Sequence, residues 1–222
     1  MPRISVLQLD THFPRIAGDV GCHDTYQCEL EIIRVPNATV SNIVTDKPEQ
    51  IDLRPFYDAI ATATGDVITT SCGFLAPFQA KLSAACNVPF IASALGQLVD
   101  LKNHLTPSEL RIITFDASKL GLAHLPVDCA LFQTSILGLD AKTHLRDVIE
   151  NDLTTLNTTQ AAADVCAALR DDDNFQTKGV LLECTNLSPY KPDIRKRMSV
   201  PIYDILTAIE AQLPDAVHTQ YL

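Results

Sequence analysis

Two segments of this chain, half its length apart, repeat one another. Val67-Ile-Thr-Thr-Ser-Cys72-Gly-Phe-Leu75-Ala-Pro77-Phe78 and Val180-Leu-Leu-Glu-Cys184-Thr-Asn-Leu187-Ser-Pro189-Tyr190 carry Cys, Leu and Pro at the same offsets, with a small residue and an aromatic matched as well. The two cysteines lie 112 positions apart in a chain of 222 residues. The simplest account is two similar halves, each placing a cysteine at the carboxyl tip of a strand. Around them, the runs ISVLQLD, DVITTS, PFIAS, RIITF, SILGL and GVLLE alternate with helical stretches near residues 55–64, 80–85, 144–156, 160–170 and 200–213. Strand alternating with helix is the pattern of parallel sheets, and runs such as VITT and GVLLE are apolar throughout, as strands covered on both faces are. The expected fold is α/β, two pseudo-symmetric Rossmann-like halves with a cleft between them.

Ligands of open α/β sheets bind outside the carboxyl ends of the strands, so Cys72 and Cys184 are expected to face one shared cleft. A cysteine at a strand end, leading into a helical turn, meets free backbone N–H groups that favour the thiolate. The same donors hold a carboxylate. Two such thiols on opposite sides of one carbon suit a two-base reaction, in which one removes an α-proton and the other returns a proton to the opposite face. Gly73 allows close backbone approach, and Thr185 and Asn186 add donors beside Cys184, with Phe74 next to Gly73 on the substrate side.

Composition narrows the function further. The net charge is −10, and Lys and Arg are dispersed apart from Arg195, Lys196 and Arg197, which leaves no basic face for nucleic acid. No apolar run approaches the ~18 residues of a membrane span, and Gln8 and Asp10 interrupt any leader-like stretch at the amino terminus, so a cytoplasmic protein without a membrane partner is expected. The seven cysteines are spread out and read as reduced thiols. Neither G-x-G-x-x-G nor a P-loop occurs, so no cofactor is expected. A small carboxylate is the expected partner, and association into a homo-oligomer is left open.

The segments TTSCGFLAPFQ and ECTNLSPY resemble the paired cysteine motifs of the aspartate/glutamate/hydantoin racemase superfamily, and LDTHFPRIAGDVG is similar to the amino-terminal segment of one of its branches. The resemblance implies two Rossmann-like domains, residues 1–94 with 202–222 and residues 95–201, the last helix returning to the first. It implies Cys72 and Cys184 as the acid/base pair, Asp10 as a polar group at the first strand's end, and Gly73, Thr185 and Asn186 as carboxylate contacts. A racemase of an amino acid or related small carboxylate is the function expected from it. Asn186 stands where glutamate racemases commonly carry His, and Cys-Thr-Asn-Leu is similar instead to maleate isomerases, in which a cysteine adds to a double bond. Cis–trans isomerisation is therefore the alternative, with a non-catalytic thiol switch a third. Arylmalonate decarboxylases of the superfamily keep only one of the two cysteines.

Other residues carry weaker signals. Arg15 is placed either to clamp a carboxylate or to pair with Asp19. Ser93 and Thr114 end expected strands that point toward the cleft. Cys22, His23 and Cys28 lack the second ligand pair of a structural zinc site, so no metal is expected. The Asp171–Asp173 run reads as a solvated loop.

Overall fold

The computed structural model describes residues 1–169 and 176–222, so the Asp171–Asp173 run lies outside the described residues. The first half runs β1 (Arg3–Gln8), β2 (Glu29–Arg34), α1 (Val40–Ile43), α2 (Arg54–Thr62), β3 (Val67–Thr70), α3 (Gln79–Ser83), β4 (Phe90–Ile91) and α4 (Leu98–Leu101). The second runs β5 (Leu110–Thr114), β6 (Ile136–Gly138), α5 (His144–Glu150), α6 (Thr158–Ala168), β7 (Gly179–Leu182), α7 (Lys191–Arg195), β8 (Ile202–Tyr203) and α8 (Ile205–Gln212).

The strands form two four-stranded sheets, in the orders β2-β1-β3-β4 and β6-β5-β7-β8, with every neighbouring pair parallel. The two orders are the same pattern read twice. All residues of β3, β5 and β7 are buried, which is why β3 and β7 read as unbroken apolar or β-branched runs and β5 does so apart from Arg111. In each sheet the chain steps outward from the first strand to one side and then crosses to the other. The crevice where the order reverses lies between β1 and β3 in one half and between β5 and β7 in the other.

The boundary expected at residue 202 is corrected. Ile202 and Tyr203 pair with Val180 and Leu181, so β8 completes the second sheet. The chain returns only afterwards: Ile205, Leu206 and Ile209 of α8, with Ala216 and Val217, pack against Ile4, Val6, Val20 and Tyr26 of the first half. Asp204 starts α8 by accepting the Thr207 N–H at 3.0 Å, while Thr207 accepts the Asp204 N–H at 2.9 Å. Asp204 also pairs with Lys191 at 2.6 Å, both side chains being essentially inaccessible, and this ties α7 to α8. Among the described residues no helix is long and apolar enough to cross a membrane.

Candidate active site

Both cysteines sit at the expected strand tips and in the same local structure. After β3 the chain passes Ser71 and Cys72 into a 3-10 turn, Gly73–Phe78, that runs on into α3. After β7 it passes Glu183 and Cys184 into a 3-10 turn of the same length, Thr185–Tyr190, that runs on into α7. Pro77 and Pro189 occupy equivalent places in the two turns. The Ser71 and Glu183 amides donate to Leu7 and Ile113 of the adjacent strands, at 3.1 and 2.8 Å, so the motifs are set at the same height on their sheets.

The two motifs meet. The Thr185 hydroxyl donates to the Ser71 carbonyl at 2.9 Å, and both thiols line one cavity together with Leu9, Phe13, Arg15, Phe74, Phe115 and Glu183. Its free volume is about 20 Å³, the room of roughly one water molecule. The site is narrow and predominantly apolar.

Burial reverses the expected ionisation of the thiols. The Phe74 amide favours the Cys72 thiolate and the Asn186 amide the Cys184 thiolate, as the strand-tip geometry led one to expect. Burial outweighs both. It pushes Cys72 up to about 12 and Cys184 well above the ordinary thiol value, with the neighbouring Glu183 adding to each. Arg15 acts in the other direction on Cys72. Without a ligand, both cysteines rest as thiols.

Glu183 is the group that reading for cysteines missed. Its side chain is 1% exposed, neither carboxyl oxygen has a hydrogen-bond partner of acceptable geometry, and burial raises it to about 7 even with the Thr114 hydroxyl pulling the other way. Gly73 exists to make room for it. A Cβ at Gly73 would overlap the Glu183 carboxyl and come within 2.5 Å of its carbonyl oxygen. The glycine therefore admits a protein carboxyl, where close approach of a ligand was expected. A charged residue ending an otherwise apolar buried strand, GVLLE, was the available signal.

A second buried chain of polar groups reaches the cavity from the loop after β1. Arg15 pairs with Asp19 at 2.9 Å, with side chains 8% and 2% exposed, and its guanidinium lies 5.0 Å from the centre of the Phe13 ring. The other Asp19 oxygen accepts from Asn186 Nδ2 at 3.0 Å, and the Asn186 amide oxygen is 3.6 Å from the Cys184 sulfur as its acceptor. Of the two possibilities open for Arg15, the pair with Asp19 is formed, and the residue still lines the cavity. Asp19 thus joins Arg15 to Asn186, where spacing alone marked it only as Arg15's ion-pair partner.

Of the other expected site residues, Gly73, Phe74, Thr185 and Asn186 line the cavity, while Thr114 stands behind Glu183. Asp10 and Ser93 do not line it. Asp10 pairs with Arg34 at 3.2 Å on a half-exposed edge, and Ser93 caps the turn before α4 by accepting the Leu95 amide at 3.2 Å. Both end their strands, but the chain turns away there. His12 is bound to Asp152 at 2.8 Å. Among the described residues, no three candidate ligands gather as a metal site.

No family model matches the chain. It is 25% identical over 224 residues to a dimethylsulfoniopropionate lyase of Durusdinium sp. clade D, covering 93% of this chain and 72% of that protein. It is 26% identical to dimethylsulfoniopropionate lyase 5 of Emiliania huxleyi (strain CCMP1516), over 94% of this chain and 44% of the relative, and 25% identical to lyase 7 of the same strain, over 96% and 66%. The chain thus spans between under half and about three quarters of these relatives. Among solved structures, the allantoin racemases of Pseudomonas fluorescens and Klebsiella pneumoniae superimpose with TM-scores of 0.57 and 0.59, at 14% and 15% identity, over 99% and 98% of this chain and 95% and 91% of theirs. An arylmalonate decarboxylase does so with 0.55 at 13% identity, over 99% and 97%. The fold is the one these racemases and the decarboxylase share. The activity expected from the superfamily resemblance is corrected: the sequence relatives bear the name of a lyase, so racemase and isomerase readings of this chain are set aside.

Proposed function

We propose that this chain is a carbon–sulfur lyase acting on dimethylsulfoniopropionate. What carries the reading is the match to proteins of that name along 93–96% of the chain. The chemistry of the substrate suits the site. It carries a carboxylate on one carbon and a dimethylsulfonium group on the next, so its α-proton lies beside one charge and its leaving group is the other. A thiolate removes the α-proton, the C–H electrons form the double bond, and the C–S electrons depart with sulfur. The products are acrylate, neutral dimethyl sulfide and a protonated thiol. The leaving group needs no proton, so one base suffices where a racemase needs two.

Arg15 and the backbone amides at the starts of the two turns are the groups available to hold the carboxylate and the negative charge that develops on it. The resting thiols are protonated, and a fixed cation brought beside them favours the thiolate. Substrate therefore helps to form its own base. The test is release of dimethyl sulfide into the headspace and appearance of acrylate by NMR in D₂O. One of the two variants Cys72→Ser and Cys184→Ser, the one that removes the base, is expected to lower the rate by about 10²- to 10⁴-fold. Absence of dimethyl sulfide from the folded wild-type protein, or wild-type rates in both variants, would overturn the reading.

A further inference from the structure

Glu183 has no structural task that its surroundings reveal. A buried polar group ordinarily has a hydrogen-bond partner, and one without a partner calls for an explanation. Its counterpart in the first half, Ser71, has one: the Ser71 hydroxyl accepts the Leu9 amide at 3.0 Å. Glu183 lies at the same point of the repeat, yet neither of its oxygens has a partner of acceptable geometry, the Thr114 hydroxyl being its one polar neighbour of that kind. Its carboxyl is pressed against Gly73, and it lines the cavity with Phe74 and Phe115, whose rings pack edge to face at 6.3 Å. The other charged side chain lining this cavity, Arg15, is already answered by Asp19. Glu183 is thus the one charge-bearing group of the cavity lining left without a counterion.

We propose that Glu183, with the rings of Phe74 and Phe115, is the seat for a permanently charged onium group, and that it makes the site select zwitterionic carboxylates over neutral isosteres of the same shape. This rests on the lyase reading for the carboxylate half of the ligand. An onium group is large, weakly hydrated and diffuse in charge, so it suits an apolar pocket with aromatic faces and one carboxylate. A neutral group of the same shape would leave the buried carboxyl uncompensated. When the cation arrives, the carboxyl, about half protonated at pH 7, loses what proton it holds and becomes the counterion. Ligand binding therefore releases about half a proton from Glu183 at pH 7 and close to a whole one at pH 6.

The experiment is calorimetric titration of wild-type protein, Glu183→Gln and Glu183→Asp with two probes, 3-(trimethylammonio)propionate and 4,4-dimethylpentanoate, in buffers of different ionisation enthalpy. Steady-state dimethyl sulfide release from dimethylsulfoniopropionate is measured in parallel. Wild type is expected to bind the ammonium zwitterion about 30-fold more tightly than the neutral isostere and to release protons as it does. Glu183→Gln, which keeps the shape and removes the charge, is expected to bind the two within about 3-fold and to lose the Glu183 share of the proton release, leaving only what the thiols contribute. Glu183→Asp is expected to keep the preference in part, and it decides the matter with wild-type proton release if the Gln variant does not fold. An undiminished preference in Glu183→Gln, or no preference in wild type, overturns the seat. The two readings fail separately. Dimethyl sulfide release with an unchanged KM in Glu183→Gln would leave the lyase and remove the seat, while Glu183-dependent binding of the zwitterion without dimethyl sulfide release would leave the seat and remove the lyase.

Discussion

The halves of this protein use one backbone design and fill it with different chemistry. Ser71-Cys72-Gly73-Phe74 and Glu183-Cys184-Thr185-Asn186 follow equivalent strands and open equivalent turns. In the first, the residue before the cysteine is a satisfied hydroxyl and the residue two beyond it is an aromatic ring against Phe115 and His124. In the second, the residue before is an unsatisfied carboxyl, and the residue two beyond it is an amide tied to Asp19. A duplicated scaffold holds two thiols symmetrically, but these substitutions give the pocket one apolar side and one polar side. Symmetric placement suits inversion at a carbon. Asymmetric surroundings suit a substrate whose two ends differ, and the lesson is that a repeat in the backbone does not make its two cysteines equivalent.

The largest expected effect tests that inequivalence in the catalytic rate. With both thiols held protonated by burial, Cys72 up to about 12, the thiolate fraction of the free protein grows tenfold per pH unit. The value of kcat/KM should therefore rise about tenfold per unit between pH 7 and 9. The profile of kcat should reach its plateau at lower pH, because bound substrate carries the cation that stabilises the thiolate. Coincident, flat profiles would show that neither thiol is the base. In D₂O, only one of the two prochiral α-hydrogens of recovered substrate should exchange, and exchange of both at equal rates would restore the symmetric picture.

Next in size is the pH dependence of stability. Glu183 rises from an ordinary 4.5 to about 7 in the folded protein. Between those values the native state holds a proton that the unfolded chain has lost, so stability falls as pH rises through this window. The whole difference corresponds to about 3 kcal/mol. Urea unfolding of wild type at pH 5 and pH 8 should show it, and Glu183→Gln should lose this component. Ser71→Ala should leave the dependence in place.

Smaller again is the contrast between the residues after the two cysteines. Gly73→Ala places a methyl group into the Glu183 carboxyl and should lower stability by about 1–3 kcal/mol, as overpacking does. Thr185→Ala removes a single hydrogen bond to the Ser71 carbonyl and should cost about 1 kcal/mol. Equal losses in a denaturant series would mean that the two turns are interchangeable. The smallest effect belongs to the residues that the fold turns away: Asp10→Asn loses one half-exposed ion pair with Arg34 and should change stability by under about 1 kcal/mol, with turnover unaffected. A large loss of turnover would bring Asp10 back into the site.

Much of this was legible from residue order. The spacing of the cysteine motifs marked the repeat, the apolar runs marked parallel strands buried on both faces, and strand tips marked where a ligand site lies, because these follow from local covalent periodicity and from sheet topology. Cys72, Cys184, Gly73, Phe74, Thr185 and Asn186 were all readable as neighbours of one cleft on those grounds. Three things belong to tertiary structure alone. Proximity of Asp19 to Asn186 spans 167 positions and is set by how the loop after β1 packs onto the second half. Whether a strand tip points into the cleft, as Thr185 does, or away from it, as Asp10 and Ser93 do, is decided by the chain's next turn. The ionisation of the thiols and of Glu183 depends on how deeply the folded chain buries them, and desolvation belongs to the surroundings of a group rather than to its place in the chain.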